Sequence, residues 1–259
     1  MVLGHESRGI IHKVGGAVSH LEPGDKVAIE PGVPCRQCEQ CRKGTYHNCK
    51  AMRFAATPPT DGTLMKYYVN ASDYCYKLPD HVDLEEGAMV EPVSVAVSIV
   101  RTAGTVAGQT VVVMGCGPIG ILTQSVAKAY GASKVIGVDV AQSRLERAKS
   151  YGADDTYMPA RKAPETDAMA HAEQVAADMK RRLGLGDGAD FVLECSGAEP
   201  CVHLGVAVAK AGATYVQAGM GKEVVAFPIT AVCTMALTIK GSIRYIAGEY
   251  SVASRLTRC

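Results

Sequence analysis

The sequence predicts an α/β protein: a doubly wound parallel sheet with covering helices, preceded by a smaller β-rich domain. Three observations predict it. Between residues 101 and 259, apolar runs of strand length alternate with longer helical stretches, the order of a parallel sheet wrapped by helices. The first of those runs, VVVM, leads into Gly115-Cys-Gly-Pro-Ile-Gly120, the pattern of a tight strand-to-helix turn. Residues 1–100 have a different texture. Their apolar runs are short and broken by Gly and Pro, as in GDKVAIEPGVP and LMKYYV, which reads as short strands and loops.

Taken in order, the second part offers candidate strands at 111–116, 134–139, 190–195, 213–218 and 236–242. Candidate helices lie at 118–130, 141–150, 165–183 and 199–210. A short strand near Thr156 would bring the sheet to six. Gly152 and Gly212 stand where helix C-caps belong, and residues 247–259 read as the start of another helix. The expected domains are therefore 1–100 and 101–259.

The chain of 259 residues is long enough for one or two domains with a sizeable core. Its 47% hydrophobic and 20% charged content are ordinary for a globular protein. A net charge of +1 implies no preference for nucleic acid or anionic membrane. No apolar run reaches the ~18 residues that would span a bilayer, and MVLGHESRG lacks a signal-peptide pattern. Ten cysteines in such a chain point to a reducing, cytoplasmic setting with metal binding rather than a disulfide framework.

The glycine turn carries the first chemistry. Gly115 permits the sharp exit from the strand, Gly117 lets the backbone approach a pyrophosphate, and Gly120 lets the helix pack close to the strand. Pro118 suits the first helical turn, where its missing N–H is no loss, and the helix N-terminus faces an anion. Asp139 ends the next strand at about the ~20-residue spacing of a ribose-diol acceptor. Its carboxylate would accept from both ribose hydroxyls of NAD and repel the 2′-phosphate of NADP. Arg144 could offer a charge to such a phosphate, but is read as a solvated helix residue or an adenine-stacking partner. NAD is the expected cofactor.

Metal chemistry is the second. Cys35, Cys38, Cys41 and Cys49 form C-x2-C-x2-C-x7-C in a loop rich in Pro, Gly, Arg and Lys. Four thiolates at these separations can close a tetrahedron around zinc, leaving no position for water or substrate, so the site would be structural. The spacing alone also allows an iron–sulfur cluster. The adjacent pair His5-Glu6 could reach one metal from a turn, or be a surface pair. Glu91 lies in the apolar stretch MVEPVSVAVSIV, where a carboxylate needs a metal, an ion partner or a proton; a helix-cap or boundary carboxylate is the alternative. Arg244 and Tyr245 follow the last candidate strand, where a doubly wound sheet meets its ligands, unless they are ordinary loop residues. Cys75, Cys116, Cys195, Cys201, Cys233 and Cys259 read as small core residues, with Cys116 the most exposed to oxidation. The remaining histidines show no ligand spacing.

Together these motifs resemble the zinc-containing medium-chain dehydrogenases. GHESRGIIHKVG looks like their GHE-x-x-G segment and PGVPCRQCEQC like their structural zinc lobe. MRFAATPPTDGTLMKYY, YKLPDHVDLEEGAMVEPVSVAV and GSIRY are similar to the polyol branch of sorbitol, xylitol and arabinitol dehydrogenases. TYVQAGMGKEVVAFPI, with GAEP and RFAATPP, most resembles its xylitol-oxidising members. The resemblance implies a partial GroES-like catalytic domain at 1–100, a Rossmann domain at 101–259, and oxidation of xylitol to D-xylulose with NAD and two zincs. It implies zinc, not iron–sulfur, at the four cysteines. His5, Glu6 and Glu91 would hold the catalytic zinc, with Glu91 sharing its place with water. Ile119, Asp139, Arg144, Ala218, Gly219, Met220 and Ile243 would contact the dinucleotide. Arg244 and Tyr245 would bind substrate hydroxyls, and Phe54 and Thr57 would line the pocket. It also implies a homo-oligomer. Chains of this family run further at both ends, with another zinc-ligating cysteine upstream of GHE and a return to the first domain after GSIRY. Both are expected to be missing here, leaving an impaired catalytic zinc or a non-catalytic NAD- and zinc-binding fragment.

Overall fold

The computed structural model describes residues 1–104 and 107–256; Cys259, expected in a core, lies outside them. Two compact units emerge, one made by Met1–Ser98 with the chain from Arg244 onward, the other by Ile99–Ile243.

The first unit begins with β1 (Ser7–Ile10), β2 (Lys26–Ile29), β3 (Gly32–Val33), the single-turn helix α1 (Glu39–Arg42), β4 (Arg53–Phe54) and β5 (Cys75–Lys77). β1, β2 and β5 form an antiparallel sheet in that spatial order, and β3 pairs with β4. The short strands follow from the Gly and Pro that interrupt every apolar run. The 20-residue helix α2 (Leu84–Ala103) is not signalled by periodicity, because Gly87 and Pro92 interrupt it. Its start is nonetheless written locally. The Asp83 amide donates to the Glu86 carboxylate at 2.9 Å and the Glu86 amide to Asp83 at 2.8 Å, a reciprocal capping box. Burial then sustains the helix across Pro92: Val90, Ala96 and Val97 are all fully buried.

The second unit carries β6 (Thr110–Met114), α3 (Pro118–Ala129), β7 (Lys134–Val138), α4 (Gln142–Ser150), β8 (Asp155–Tyr157), α5 (Ala168–Leu183), β9 (Ala189–Glu194), α6 (Glu199–Val208), β10 (Ala209–Gln217), α7 (Ile229–Thr234) and β11 (Thr238–Gly241). All six strands pair in parallel, in the order β11-β10-β9-β6-β7-β8. The order reverses between β6 and β9, the switch point beside which such sheets bind ligands. Strand interiors such as Val112, Ile136 and Val192 are fully buried, as expected of a sheet covered on both faces. Asp167 caps α5 by accepting from the Met169 and Ala170 amides, and Gly184 ends it in the left-handed region.

Three expectations are corrected. Gly212 is not a helix cap. α6 ends at Val208 and the chain passes directly into β10, where Gly212 (φ +78°) sits in an irregular stretch between Ala209 and Thr214. α7 was unforeseen. The third is the boundary at residue 243. The segment from Arg244, including α8 (Glu249–Leu256), belongs with the first unit and not with the second. Tyr250 is responsible: its hydroxyl donates to the Ile29 carbonyl at 2.8 Å, and its ring lies 4.9 Å from Tyr76 and 5.5 Å from Tyr245. Among the described residues, no helix is long and apolar enough to cross a membrane.

Candidate metal and dinucleotide sites

The glycine turn after β6 has a different physical demand at each glycine. Gly115 adopts φ +91°. A Cβ on Gly120 would stand 1.8 Å from the Gly115 carbonyl oxygen, so the helix can approach only without one. A Cβ on Gly117 would meet nothing within 4 Å. The space beside Gly117 is open, as a pyrophosphate at the helix N-terminus requires. Pro118 opens α3 and Ile119 is half-buried behind it. Asp139 reaches back to this turn. One carboxylate oxygen accepts the Cys116 amide at 2.8 Å and the other the Ala141 amide at 2.9 Å. Each oxygen keeps a lone pair for a ribose hydroxyl. Arg144, on the exposed side of α4, lies 3.7 Å from Asp139. Cys116 is the reverse of oxidation-prone. It is 1% exposed, and burial pushes its thiol up to about 11.

On the loop after β10, the Ala218 and Gly219 amides both donate to the Glu194 carbonyl, at 2.9 and 2.7 Å. Met220 and Ile243 are exposed by 86% and 50% and so are accessible from solvent. The Glu194 side chain is a feature the sequence reading passed over. It has the same signature as Asp139, an acid closing an apolar strand, in FVLECSG.

In the first unit the four cysteines converge. Their Sγ atoms all lie within 4.8 Å of one another, with Cys38–Cys41 at 3.4 Å and Cys35–Cys41 at 3.8 Å. A tetrahedron with Zn–S bonds of about 2.3 Å has edges of roughly 3.8 Å, so the quartet fits zinc. The thiols are unpaired as disulfides. Backbone amides of Gln37 and Cys38 hold the Cys35 thiol down to about 6, favouring the thiolate a metal needs. Burial and the neighbouring Cys38 and Cys49 thiols push Cys41 up to about 12.

The second donor cluster brings together residues distant in sequence. One ligand atom each of His5, Glu6 and Glu91 lies within 4.8 Å of the other two. Glu6 is exposed, whereas Glu91, in the middle of α2, is only 4% exposed. Burial and the Glu6 charge raise Glu91 to about 8, while Tyr245 and Arg244 act in the opposite sense. An imidazole and two carboxylates so placed match a divalent cation of zinc type. Phe54 stands between this cluster and Arg244, its ring 5.8 Å from that of His5 and 4.1 Å from the Arg244 guanidinium. Arg244 is held at φ +54°, a conformation that non-glycine residues adopt at an energetic cost. Thr57 is exposed nearby in sequence. Tyr245, the other residue expected at the substrate, follows Arg244 directly in the chain. It is 2% exposed, and its hydroxyl has no hydrogen-bond partner among the described residues.

Sequence reasoning also missed a buried acid in β2's wake. Glu30 is fully buried, and its carboxylate accepts from the Tyr46 hydroxyl at 2.5 Å and the Tyr76 hydroxyl at 2.8 Å. Burial raises its pKa to about 7, against the two hydrogen bonds, which lower it. The folded value exceeds the unfolded one. The protonated form is thus favoured by folding, and this contribution is complete below about pH 4.5 and lost as pH rises through about 7. Glu30→Gln should remove that slope. Between pH 5 and 7.5 the parent should lose on the order of 3 kcal/mol relative to the variant in denaturant titrations. Parallel pH profiles for the two proteins would contradict it.

Comparison with known proteins places these features. The zinc-binding dehydrogenase profile matches residues 118–258, and the alcohol dehydrogenase GroES-like domain profile matches residues 1–80. The chain is 54% identical over 256 residues to D-xylulose reductase A of Aspergillus niger, covering 99% of this chain and 69% of that protein. It superposes on a zinc-binding dehydrogenase of Sinorhizobium meliloti bound to NADP with a TM-score of 0.83 and 27% identity, covering 98% of this chain and 72% of that one. A short chain alcohol dehydrogenase of Escherichia coli complexed with NADH gives a TM-score of 0.84 at 26% identity, with coverage of 99% and 72%.

Proposed function

Since the chain belongs to the zinc-binding medium-chain dehydrogenase family, we propose that it is an NAD- and zinc-dependent polyol dehydrogenase that interconverts xylitol and D-xylulose. The observation that carries the chemistry is the convergence of His5, Glu6 and Glu91 on one point. The substrate class rests on the similarity to D-xylulose reductase.

In this reading His5, Glu6 and Glu91 hold the catalytic zinc, and Cys35, Cys38, Cys41 and Cys49 hold a closed structural one. When bound, zinc would polarise a substrate hydroxyl and NAD would accept the hydride. The chain's own residues do the rest. Arg244, braced on Phe54, presents guanidinium donors to a hydroxyl-rich substrate. Phe54 and Thr57 line the substrate side. Tyr245, whose buried hydroxyl has no partner among the described residues, offers that hydroxyl to a substrate oxygen beside Glu91. Asp139 takes the ribose hydroxyls and discriminates against a 2′-phosphate. Gly115, Gly117, Pro118, Ile119 and Gly120 form the pyrophosphate turn, with Arg144 beside the adenosine. Ala218, Gly219, Met220 and Ile243 meet the other half of the dinucleotide. A homo-oligomer in the cytoplasm completes the proposal.

The test is NADH formation from xylitol by the purified, zinc-loaded chain, with sorbitol and L-arabinitol as competitors for the assignment. NAD should exceed NADP in kcat/KM by at least tenfold, and Asp139→Ala should narrow that ratio severalfold. NADH binding without turnover of any polyol would favour a binding protein instead. Equal use of NADP would refute the role given to Asp139.

A further inference from the structure

Glu194 closes β9 at the switch point, and each of its carboxylate oxygens, like its backbone carbonyl, accepts two or more hydrogen bonds. It is fully buried. Oε1 accepts the Ser196 amide at 2.9 Å, the Gly197 amide at 3.1 Å and the Ser196 hydroxyl. Oε2 accepts the Gly197 amide at 2.9 Å and the Gln217 side-chain amide at 2.7 Å. Gln217 in turn donates to the Gly219 carbonyl at 2.8 Å, and the Glu194 backbone carbonyl receives the Ala218 and Gly219 amides. One residue therefore ties together the loop after β9 and the loop after β10.

These loops have no slack. A Cβ on Gly219 would stand 2.2 Å from the Gly197 amide nitrogen and 2.6 Å from Glu194 Oε2, and one on Gly221 would stand 1.8 Å from the Gly197 carbonyl oxygen. Gly197 itself is held at φ +71°, and a Cβ on Gly115 would stand 2.9 Å from the Ser196 Cβ. The glycine turn, the 196–198 loop and the 218–221 loop thus interlock along one edge of the sheet.

The two halves of the sheet treat anions differently. In the first, β6 to β8, the turn leaves open space beside Gly117, and Asp139 ends the second strand. In the second, β9 to β11, the amides of the corresponding first turn are already taken by the Glu194 carboxylate. The Ser196 and Gly197 amides are therefore not free for a phosphate. A dinucleotide laid across the switch point puts its pyrophosphate and adenosine on the first half, and its other nucleoside on the second.

We propose that Glu194 is a positioning residue for the nicotinamide half of the dinucleotide: its carboxylate holds the 196–198 and 218–221 loops in the mutual placement that receives the nicotinamide nucleoside. The inference rests on the NAD reading above. Every direction around the carboxylate is occupied by a donor. In Glu194→Gln the new NH2 group therefore faces an N–H whichever way the amide turns, and the loops must part.

The experiment compares NADH with ADP-ribose, which lacks the nicotinamide, on the full zinc-loaded chain by titration calorimetry. In Glu194→Gln the NADH Kd should rise at least tenfold while the ADP-ribose Kd stays within threefold of the parent value. The fluorescence change of bound NADH should shrink with it. Ser196→Ala, which removes one donor and is gentler to the fold, should show the same selective loss at about threefold. An unchanged ratio of the two affinities in both variants overturns the proposal, whether both ligands weaken together or neither does. A parent chain that binds neither ligand would instead sink the NAD reading itself.

Discussion

Replacing Cys49 by serine is expected to weaken the hold on one zinc per chain and loosen the 35–49 lobe. Cys49 is the most enclosed of the four thiols, at 5% exposure, and its sulfur also accepts the Cys35 amide at 3.4 Å. Beyond the buried Tyr46, whose hydroxyl donates to Glu30, and the Gly44 carbonyl, which accepts the Ala247 amide, the lobe has few anchors. α1 is a single turn with no buried residue, and the neighbouring ion pairs Arg36–Asp73 and Lys43–Glu39 are exposed, where such pairs contribute little. Structural zinc supplies roughly 10–16 kcal/mol of apparent binding free energy in small zinc domains. Forfeiting about a quarter of that, on the order of 3 kcal/mol, corresponds to a fall in Tm of roughly 6–12 °C for a protein of this size. Zinc analysis and calorimetry on parent and variant measure both effects. Full zinc retention at an unchanged Tm would show that the quartet is not a metal site. Because the shell is closed, NADH affinity should be nearly unaffected at temperatures where the variant remains folded.

The glycines of the turn after β6 should separate folding from binding. Gly120→Ala places a methyl 1.8 Å from the Gly115 carbonyl oxygen, which is backbone and cannot rotate away. The helix must back off from the strand, with an expected destabilisation of about 3 kcal/mol or more and loss of NADH binding by at least a hundredfold. Gly117→Ala meets no protein atom within 4 Å. Its Tm should match the parent within about 1 °C, yet its NADH affinity should fall at least tenfold, since the methyl enters the space the pyrophosphate needs. Calorimetric melting and NADH titration on both variants check the pair. A Gly117→Ala protein that binds NADH normally would mean that the open space beside Gly117 is not the phosphate site.

How much of this could be read from the chain depends on how local the controlling contacts are. The glycine turn, Asp139 and the cysteine loop are each written within a few dozen residues, and the physical demand on each residue type is nearly unique. α2 was half-legible. Its capping box, Asp83 with Glu86, is a clear start signal, but Gly87 and Pro92 argue against continuation, and only burial of Val90, Ala96 and Val97 overrides them. Gly212 misled because a glycine between a helix and a strand suits either a cap or a bulge, and the choice is made by the register of β10 against β9. Glu30 was invisible as a polar hub because the Tyr46 and Tyr76 hydroxyls reach it from distant segments, and Glu194 because, although Ser196 and Gly197 are its near neighbours, the Gln217 amide that links the two loops comes from β10.

By itself the sequence determined the doubly wound second unit, the glycine turn with Asp139 after the next strand and the four-sulfur lobe, because short-range sterics and ligand spacing leave few alternatives. Only the tertiary structure decided that Glu91 meets His5 and Glu6, that the chain from Arg244 joins the first unit, and that Tyr245 is buried. Each of these depends on contacts between residues far apart in the chain. Such contacts are set by packing, here the Tyr250 ring against Tyr76 and Tyr245, and periodicity and spacing carry no record of them.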